Sequence, residues 1–383
     1  MGIESTARAD VLPRAHAVAG LREVDAEEWD ALVPPGRGGL RRAQLLAWQE
    51  CELAALRSRP LVVRGRSGEL LAAAPGYLYE LDVVAVQESW VARLLQALRV
   101  VRPRLLTMRV LELGCAVPDS PPFLHAPWVD TVEAAERLLD GALREADAEQ
   151  VDMLIVQDFP DDAPWRRAFR ERGFSRIPMH PTIVVDVVWD SFDEYLAAMR
   201  ANYRRRARTV LKRSAHLTPE LVEDFSPLAD ELSRLWRCVF DRATEYRREL
   251  LPPAYFAAAA ADDATRVLLL RRDDASIASF AVLYDDAPVL HFFSCGFEAA
   301  AGQEEGAYFR LLYEIVRVGI EEGYEEINLG MTTAEPKYDV GGRPLPVASW
   351  MRHRSRLLHR SFAALGAGPF APEAPEPRHV FKD

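Results

Sequence analysis

A dense run of positive charge, NYRRRARTVLKRS at residues 202–214, lies in a chain whose formal net charge is −11. Six of the ten residues from Arg204 to Arg213 are basic. On a helix, Arg204, Arg208 and Lys212 share one face because they are spaced four residues apart. Such a stripe either contacts a few phosphates or forms an exposed, hydrated surface. The run is too short to follow a long duplex, so we expect no DNA partner.

Three side chains in the second half have chemistry suited to catalysis, and each also has a structural interpretation. Lys337 follows an apolar strand-like run and precedes two glycines, where it could neutralise negative charge or be a solvated loop lysine. His291, in the apolar run VLHFFSCGF, could be a base or a hydrogen-bonded core residue. Cys295 has no accompanying His/Asp pattern, so we interpret it as a buried structural thiol.

Composition restricts the class of protein. A chain of 383 residues with 49% apolar residues predicts two globular domains. The cysteines Cys51, Cys115, Cys238 and Cys295 are widely spaced and form no CxxC pair, which favours a reducing cytoplasm and no metal site. No run approaches ~18 uncharged apolar residues, so we expect no stable membrane insertion.

The same order of elements is predicted twice, which indicates an α/β (α+β) fold with a duplicated domain. Each half reads as three antiparallel strands, a crossover helix and one further strand. In the first half these segments are 60–66, 69–80, 107–116, 131–149 and 151–159, and in the second half they are 266–272, 278–286, 289–297, 306–322 and 326–331.

We divide the chain into five parts on this pattern. The divisions are a flexible N-terminus at 1–20, a first domain at 21–189, a basic linking helix at 190–214, a second domain at 215–362 and a disordered tail at 363–383. The Pro/Ala-rich composition of the tail is the basis for predicting disorder there.

Three segments resemble a known family: SFDEYLAAMRANYRRRARTVLKRS, GAYFRLLYEIVRVGIEEGYEEINLG and PKYDVGG. Together with the element order they are similar to the tandem GNAT architecture of the FemAB-like transferases and the related BioF2-like or CelD-like acetyltransferases. In PKYDVGG, Lys337, Gly341 and Gly342 match the family's Lys-x-x-x-Gly-Gly. Asp339 stands where the family usually has glycine.

The resemblance implies two tandem GNAT-like domains, each with a mixed, mainly antiparallel sheet flanked by helices, and an acyl-donor site in the second. A bulge at Ser294, Cys295 and Gly296 would hold the acyl carbonyl and pantetheine arm. The loop with Gln303, Gly306 and Ala307 would bind a pyrophosphate at the following helix N-terminus. In this loop Tyr308 stands where a small residue is usual, and Glu304 and Glu305 would repel phosphate.

The resemblance also implies roles for other side chains. Tyr338 occupies the place where GNAT-like enzymes often have the tyrosine that protonates the leaving thiolate, although it could equally be a packed aromatic. The linking helix would line the cleft and hold phosphates through Arg204, Arg208 and Lys212. Tyr203, Tyr308 and Asn328 are candidates for contact with the substrate. The first half, with three prolines in GCAVPDSPPF, would form a scaffold or one wall of the acceptor cleft.

Three functions follow from these inferences. The first is a cytoplasmic N-acyltransferase that moves an acyl group from acyl-CoA to an amine of a small molecule or a cell-envelope precursor. The second is a FemAB-like transferase that uses aminoacyl-tRNA to form an amide on a peptidoglycan precursor or a peptide natural product. The third is a non-catalytic protein that binds an envelope precursor.

Overall fold

The computed structural model describes residues 12–50, 56–82, 107–114, 121–160, 164–243, 250–366 and 375–382. Cys51, Cys115 and most of the proline-containing loop at 114–123 lie outside the described residues. The strands are β1 His16–Ala17, β2 Arg57–Ser58, β3 Leu61–Arg64, β4 Leu70–Ala74, β5 Gly76–Asp82, β6 Thr107–Leu113, β7 Leu124–His125, β8 Met153–Pro160, β9 Ser175–Pro178, β10 Thr182–Asp186, β11 Thr218–Val222, β12 Thr265–Arg271, β13 Ile277–Asp286, β14 Val289–Phe297, β15 Glu326–Asn328, β16 Arg343–Leu345 and β17 Val347–His353. The helices are α1 Ala26–Asp30, α2 Arg42–Glu50, α3 Thr131–Ala148, α4 Arg166–Glu171, α5 Phe192–Ala198, α6 Ala201–Arg213, α7 Ala229–Phe240, α8 Pro253–Ala259, α9 Ala307–Glu321, α10 Ala334–Asp339 and α11 Arg356–Gly366.

The second half is built around a seven-stranded sheet in the order β11-β12-β13-β14-β15-β10-β16. Strands β11 to β14 pair antiparallel, whereas β14 and β15 run parallel. Parallel neighbours need a crossover connection, and α9 supplies it with its apolar face buried. The predicted order of three antiparallel strands, a helix and a further strand is confirmed here.

The first half has strands and a crossover helix in the predicted order, except that the single strand expected at 69–80 is two strands, β4 and β5, which lie in two different sheets. A six-stranded sheet has the order β2-β5-β6-β8-β17-β9, and β6 runs parallel to β8 after the crossover helix α3. A four-stranded sheet has the order β1-β3-β4-β7. Pro75 separates β4 from β5, and because proline has no N–H for the ladder, the chain leaves one sheet there and enters the other.

The two halves exchange one strand each. The strand β10 follows the first half in sequence, yet it lies between β15 and β16 in the sheet of the second half. The strand β17 follows the second half, yet it lies between β8 and β9 in the sheet of the first. Each sheet is therefore completed by the other half of the chain, and the tandem α/β architecture behaves as one interlocked unit.

An apolar core continues across the contact between the halves. The ring of Trp48, from the first half, lies 5.1 Å from that of Tyr255 and 5.7 Å from that of Phe293. These residues belong to a core cluster shared by both halves, whereas a second cluster fills the space between α9 and the other face of the seven-stranded sheet. Among the described residues, no helix has the length and apolar composition needed to cross a bilayer.

The described parts of both chain ends are more ordered than the sequence predicted. The segment 1–20 was expected to be flexible, but the described part carries β1, which pairs with β3. The segment 363–383 was expected to be disordered, but α11 continues to Gly366 and residues 375–382 pack on the second half. Val380 is buried, and its carbonyl accepts a hydrogen bond from the Arg200 N–H at 2.9 Å. The correction has a simple cause, because Val380 and Phe381 supply apolar surface that is buried against α5 and α6.

Candidate functional site

The parallel strands β14 and β15 separate after three paired residues. Val289, Leu290 and His291 are in register with Glu326, Ile327 and Asn328, where β15 ends, while β14 continues to Phe297. Beyond His291, that edge of β14 therefore pairs with no described strand. Backbone N–H groups along such an edge are the kind of donor that can hold a carbonyl oxygen, as a donor site requires.

A β-bulge marks the point of separation. Val282 is in register with Ser294 and Leu283 with Phe292, so Phe293 is the extra residue in β14. We expected the bulge at Ser294–Gly296, and it lies just before that segment because the Phe293 ring packs with Trp48 and Tyr284. Gly296 has a packing role, since a Cβ there would approach the Trp236 backbone nitrogen to 2.6 Å.

Lys337 lies at the opening between the separated strands. Its Nζ donates a hydrogen bond to the Gly330 carbonyl at 3.2 Å and lies 5.9 Å from the centre of the Phe292 ring. The side chain is only 3% exposed, so its ammonium is held in a largely desolvated position. Asn328 shapes the turn that presents Gly330, because its Oδ1 accepts a hydrogen bond from the Gly330 N–H at 2.8 Å.

The glycines that follow Lys337 have identifiable structural causes. Gly341 has a φ of +96°, which favours glycine, and the Gly342 N–H donates to the Lys337 carbonyl at 2.9 Å. A Cβ on Gly342 would lie 2.8 Å from that carbonyl oxygen, closer than side chains are found. The Lys-x-x-x-Gly-Gly spacing therefore holds α10 in the position that directs Lys337 toward the opening.

Asp339 acts as a clamp where the resembling family has glycine. Its buried carboxylate pairs with Arg206 of α6 at 2.5 Å and with Arg378 of the C-terminal segment. The ion pairs join α6, α10 and the chain end on one side of the opening. Tyr195, from α5, adds a hydrogen bond at 2.7 Å to the carbonyl of Val340.

Cys295 and Tyr308 lie on the same side of β14 as Phe292 and pack against the core of the second half. Burial raises the pKa of the Cys295 thiol to about 12, although the nearby positive charges of Lys337 and Arg242 oppose this shift. Burial also raises the pKa of Tyr308, whose ring stacks on Phe297 at 5.5 Å. At neutral pH both groups keep their protons, so Cys295 is poorly suited to be a nucleophile.

His291 lies on the opposite side of β14, toward the first half. It is in register with Tyr284, and its Nε2 is 3.8 Å from Oδ2 of the buried Asp286. The same carboxylate accepts a hydrogen bond from the Gly38 N–H of the first half. Burial raises the pKa of Asp286, with the Gly38 hydrogen bond and Arg41 acting against it. The Ser294 hydroxyl is also buried and has no hydrogen-bond partner among the described residues.

Tyr338 is fully buried in the core of the second half. Its hydroxyl has no hydrogen-bond partner in the described part of the chain, and burial raises its pKa. The phenol is therefore protonated at neutral pH and still has a hydrogen bond to donate.

A groove of about 560 Å³ lies between α6 and the start of α9. It is lined by Asn202, Tyr203, Arg205, Arg206, Thr209, Val210, Arg213 and Phe309. The predicted stripe has a different position: Arg204 donates to the carbonyls of Ala197 and Met199, while Arg208 and Lys212 are exposed outside the groove. The rotation of α6 buries Ala207 and Val210 and so directs the residues beside them into the groove, while the phosphate-binding role expected of Arg204, Arg208 and Lys212 stays a prediction.

The first turn of α9 lies beside this groove. Gly306 has a φ of +71°, and a Cβ there would lie 2.3 Å from Nη2 of Arg213. The Arg213 guanidinium therefore lies directly against the helix N-terminus, where unpaired N–H groups already favour an anion. Ala307, the first residue of α9, is buried, and the side chain of Gln303 lies outside the described residues.

Glu305 does not present an unpaired negative charge to this site. Its carboxylate pairs with Arg272 at 2.8 Å and with His216 at 3.2 Å. The hydrogen bond from Arg272 is the main cause that lowers the Glu305 pKa. The repulsion of phosphate that we expected from this residue is thus reduced by two partners that lie far from it in sequence.

A family model and several solved structures are similar to this chain. Residues 197–339 match the acetyltransferase (GNAT) domain model. The crystal structure of FemX aligns with a TM-score of 0.58 at 16% identity, covering 89% of this chain and 98% of that one. Residues 197–339 therefore resemble a GNAT acetyltransferase domain, and the chain has a FemX-like fold.

Two further solved structures have a similar fold. The C-terminal domain of a putative lysylphosphatidylglycerol synthetase from Agrobacterium fabrum aligns with a TM-score of 0.54 at 15% identity, covering 91% of this chain and 96% of that one. The L-PGS of Bacillus licheniformis aligns with a TM-score of 0.51 at 12% identity, covering 90% and 96%. No curated protein sequence matches the chain.

Sequence reasoning missed the arginines that line the groove. Arg206 and Arg213 share a face with Asn202 and Thr209, at spacings of three and four residues. The sequence did contain an indication of which arginines line the groove, because the apolar positions Ala207 and Val210 mark the inward side of the helix. A helical projection centred on that apolar side, and not on the densest charge, would have selected them.

Proposed function

We propose that the protein is an N-acyltransferase that transfers an acyl group from acyl-CoA to an amine of a small molecule or cell-envelope precursor. One observation carries the proposal: β14 and β15 separate at His291 and Asn328, and the desolvated Lys337 ammonium lies at that opening. The separation exposes backbone donors along β14. The ammonium adds a positive charge where negative charge develops in acyl transfer.

Direct transfer makes one bond and breaks one. The amine nitrogen attacks the thioester carbonyl carbon, a C–N bond forms, and the C–S bond breaks to release the CoA thiolate. We assign stabilisation of the carbonyl oxygen to Lys337 and to backbone N–H groups of β14 beyond its pairing with β15. His291 accepts the proton lost by the amine, and Tyr338, whose phenol is protonated, donates one to the thiolate.

Phosphates of the donor fit the groove between α6 and α9. The groove presents Arg205, Arg206 and Arg213, and the last of these lies against the N-terminus of α9 at Gly306. A helix N-terminus and adjacent guanidinium groups are a favourable combination for phosphate. We therefore propose that Arg205 and Arg213, and not Arg208 and Lys212, contact the CoA phosphates.

The binding experiment compares two matched double variants of α6. Arg205→Ala/Arg213→Ala removes charges that line the groove, whereas Arg208→Ala/Lys212→Ala removes two exposed charges outside it. A charge-assisted hydrogen bond contributes about 1.5–3 kcal/mol, so each lost contact should weaken CoA binding roughly 10- to 100-fold, and the first variant should lose at least that much. The second should bind like the unmodified protein. Isothermal titration with CoA and acetyl-CoA measures both, and equal losses in the two variants would contradict the placement.

Thermal unfolding gives an independent measure of the donor. A ligand that binds only the native state at ~100-fold excess over its Kd adds ~2.7 kcal/mol to stability. We expect a saturable rise in melting temperature with acetyl-CoA. No rise, from a folded protein, would remove acyl-CoA as the donor.

An aminoacyl-tRNA donor is the second candidate, and the fold likeness favours it. FemX, the domain of the putative lysylphosphatidylglycerol synthetase and L-PGS each align over about nine-tenths of this chain with TM-scores above 0.5. Binding of tRNA in place of CoA, lost in the Arg205→Ala/Arg213→Ala variant, would support this candidate. A non-catalytic protein that binds an envelope precursor would bind neither donor, and replacing Lys337 would change no transferase activity.

A further inference from the structure

The helix α11 carries exposed leucines on the surface of the first half. It packs beside β9 and β17, and His359 anchors it through contacts of Nε2 with the Ser175 hydroxyl at 3.0 Å and of Nδ1 with the His353 N–H at 3.3 Å. On its outer side, Leu357 is 75% exposed and Leu358 is 45% exposed. With the exposed arginines beside them, these two leucines form a small apolar surface that a partner could cover.

The charges around these leucines all have one sign. Arg352, Arg354, Arg356 and Arg360 are exposed, and none forms an ion pair with a residue that the structure describes. The sequence contains no Asp or Glu from residue 340 to residue 372, in a chain whose net charge is −11. This local excess of positive charge favours an anionic partner.

We propose that α11 and the arginines preceding it form a peripheral contact with an anionic lipid surface. An amphipathic helix of this kind lies in the plane of a bilayer, with leucines entering the headgroup boundary and arginines contacting lipid phosphates. The exposed leucines favour this partner over RNA, because nucleic acids are bound by phosphate contacts and by aromatic or hydrogen-bonding side chains. The contact is separate from the donor groove and does not rest on the proposed acyl transfer.

The experiment measures sedimentation of the purified full chain with lipid vesicles. Vesicles of phosphatidylcholine alone are compared with vesicles of phosphatidylcholine mixed with phosphatidylglycerol, at low and high salt. We expect binding to the anionic vesicles at least about tenfold tighter than to the neutral ones, weakening with salt as surface charge is screened.

Two variants locate the contact, and two controls match them. Arg354→Gln/Arg356→Gln/Arg360→Gln should weaken binding roughly 100-fold, at about fivefold for each arginine. Leu357→Ser/Leu358→Ser should weaken it about tenfold or more. The controls are Arg208→Gln/Lys212→Gln, an equally exposed basic pair on α6, and Val188→Ser, an apolar side chain that is 74% exposed. Both controls should bind vesicles like the unmodified protein.

Several results would overturn the proposal. One is equal binding to neutral and anionic vesicles, and another is unchanged binding in both α11 variants with intact folds by circular dichroism. A third is competition by tRNA with no effect of the leucine variant, which would assign the arginines to RNA. No acyl donor is present in these measurements, so failure of acyl-CoA as donor leaves their outcome unaffected.

Discussion

Lys337 is the residue whose replacement tests the site most directly. We consider Lys337→Met, which keeps the length and volume of the side chain and removes its charge. In the protein the ammonium is 3% exposed and donates to the Gly330 carbonyl at 3.2 Å. The substitution therefore removes a buried cation from the opening between β14 and β15 without leaving a large cavity.

The expected effects on activity and on stability differ in size. Loss of one group that stabilises the carbonyl oxygen lowers kcat by about 10²–10³, equivalent to ~2.7–4 kcal/mol. The substitution removes a hydrogen bond that contributes about 1.5–3 kcal/mol to the free energy of unfolding. It also removes the cost of desolvating the ammonium, which acts in the opposite direction. Because these two contributions oppose each other, we expect the unfolding free energy to change by less than about 2 kcal/mol.

The assay follows release of the CoA thiol from acetyl-CoA, with water or an added amine as acceptor, alongside urea unfolding. Lys382→Met is the matched control, since Lys382 Nζ also donates to a backbone carbonyl, that of Ala197 at 2.7 Å, but on the surface. The control should keep its activity. If Lys337→Met keeps its activity as well, or if activity and stability fall together by the same free energy, the reasoning is refuted.

Three further predictions concern residues around the site and on α11. Cys295→Ala should keep at least about a third of the activity, because a thiol whose pKa burial raises to about 12 is protonated at neutral pH; loss of activity with an unchanged melting temperature would contradict this. Asp339→Asn should lower the unfolding free energy by about 1–3 kcal/mol, less than for a fully buried ion pair because its partners Arg206 and Arg378 are 50% and 31% exposed. The Arg378→Ala variant should reproduce only part of that loss in urea titrations, and equal losses would argue against a shared clamp. Burial and the positive charge of nearby residues lower the pKa of His359 below its usual 6.5, so the folded chain binds this proton less readily than the unfolded chain and stability falls as the pH drops below that value. Between about pH 7.5 and about pH 5.5 the unmodified protein should thus lose more stability than His359→Gln, and equal losses would contradict the direction of the shift.

The elements and the Lys-x-x-x-Gly-Gly spacing could be read from the sequence because their causes are local. Alternating and helical periodicities report which residues are buried, and they predicted the order of strands and crossover helices in both halves. The two glycines reflect a positive φ at Gly341 and a close approach at Gly342, and both follow from the path of a few residues. Such features depend only on neighbouring residues, so they can be predicted without knowing how distant segments pack.

Tertiary structure decided which surfaces meet. Periodicity reports burial but does not name the partner, so β10 and β17 could not be assigned to the opposite sheets from sequence. The rotation of α6 follows from packing of Ala207 and Val210, and this rotation places Arg213, and not Arg208, beside Gly306. The pairing of Asp339 with Arg378 joins residues that the chain holds 39 positions apart. The sequence by itself therefore determined the elements and the residues able to do chemistry, whereas long-range packing decided which of those residues share a site.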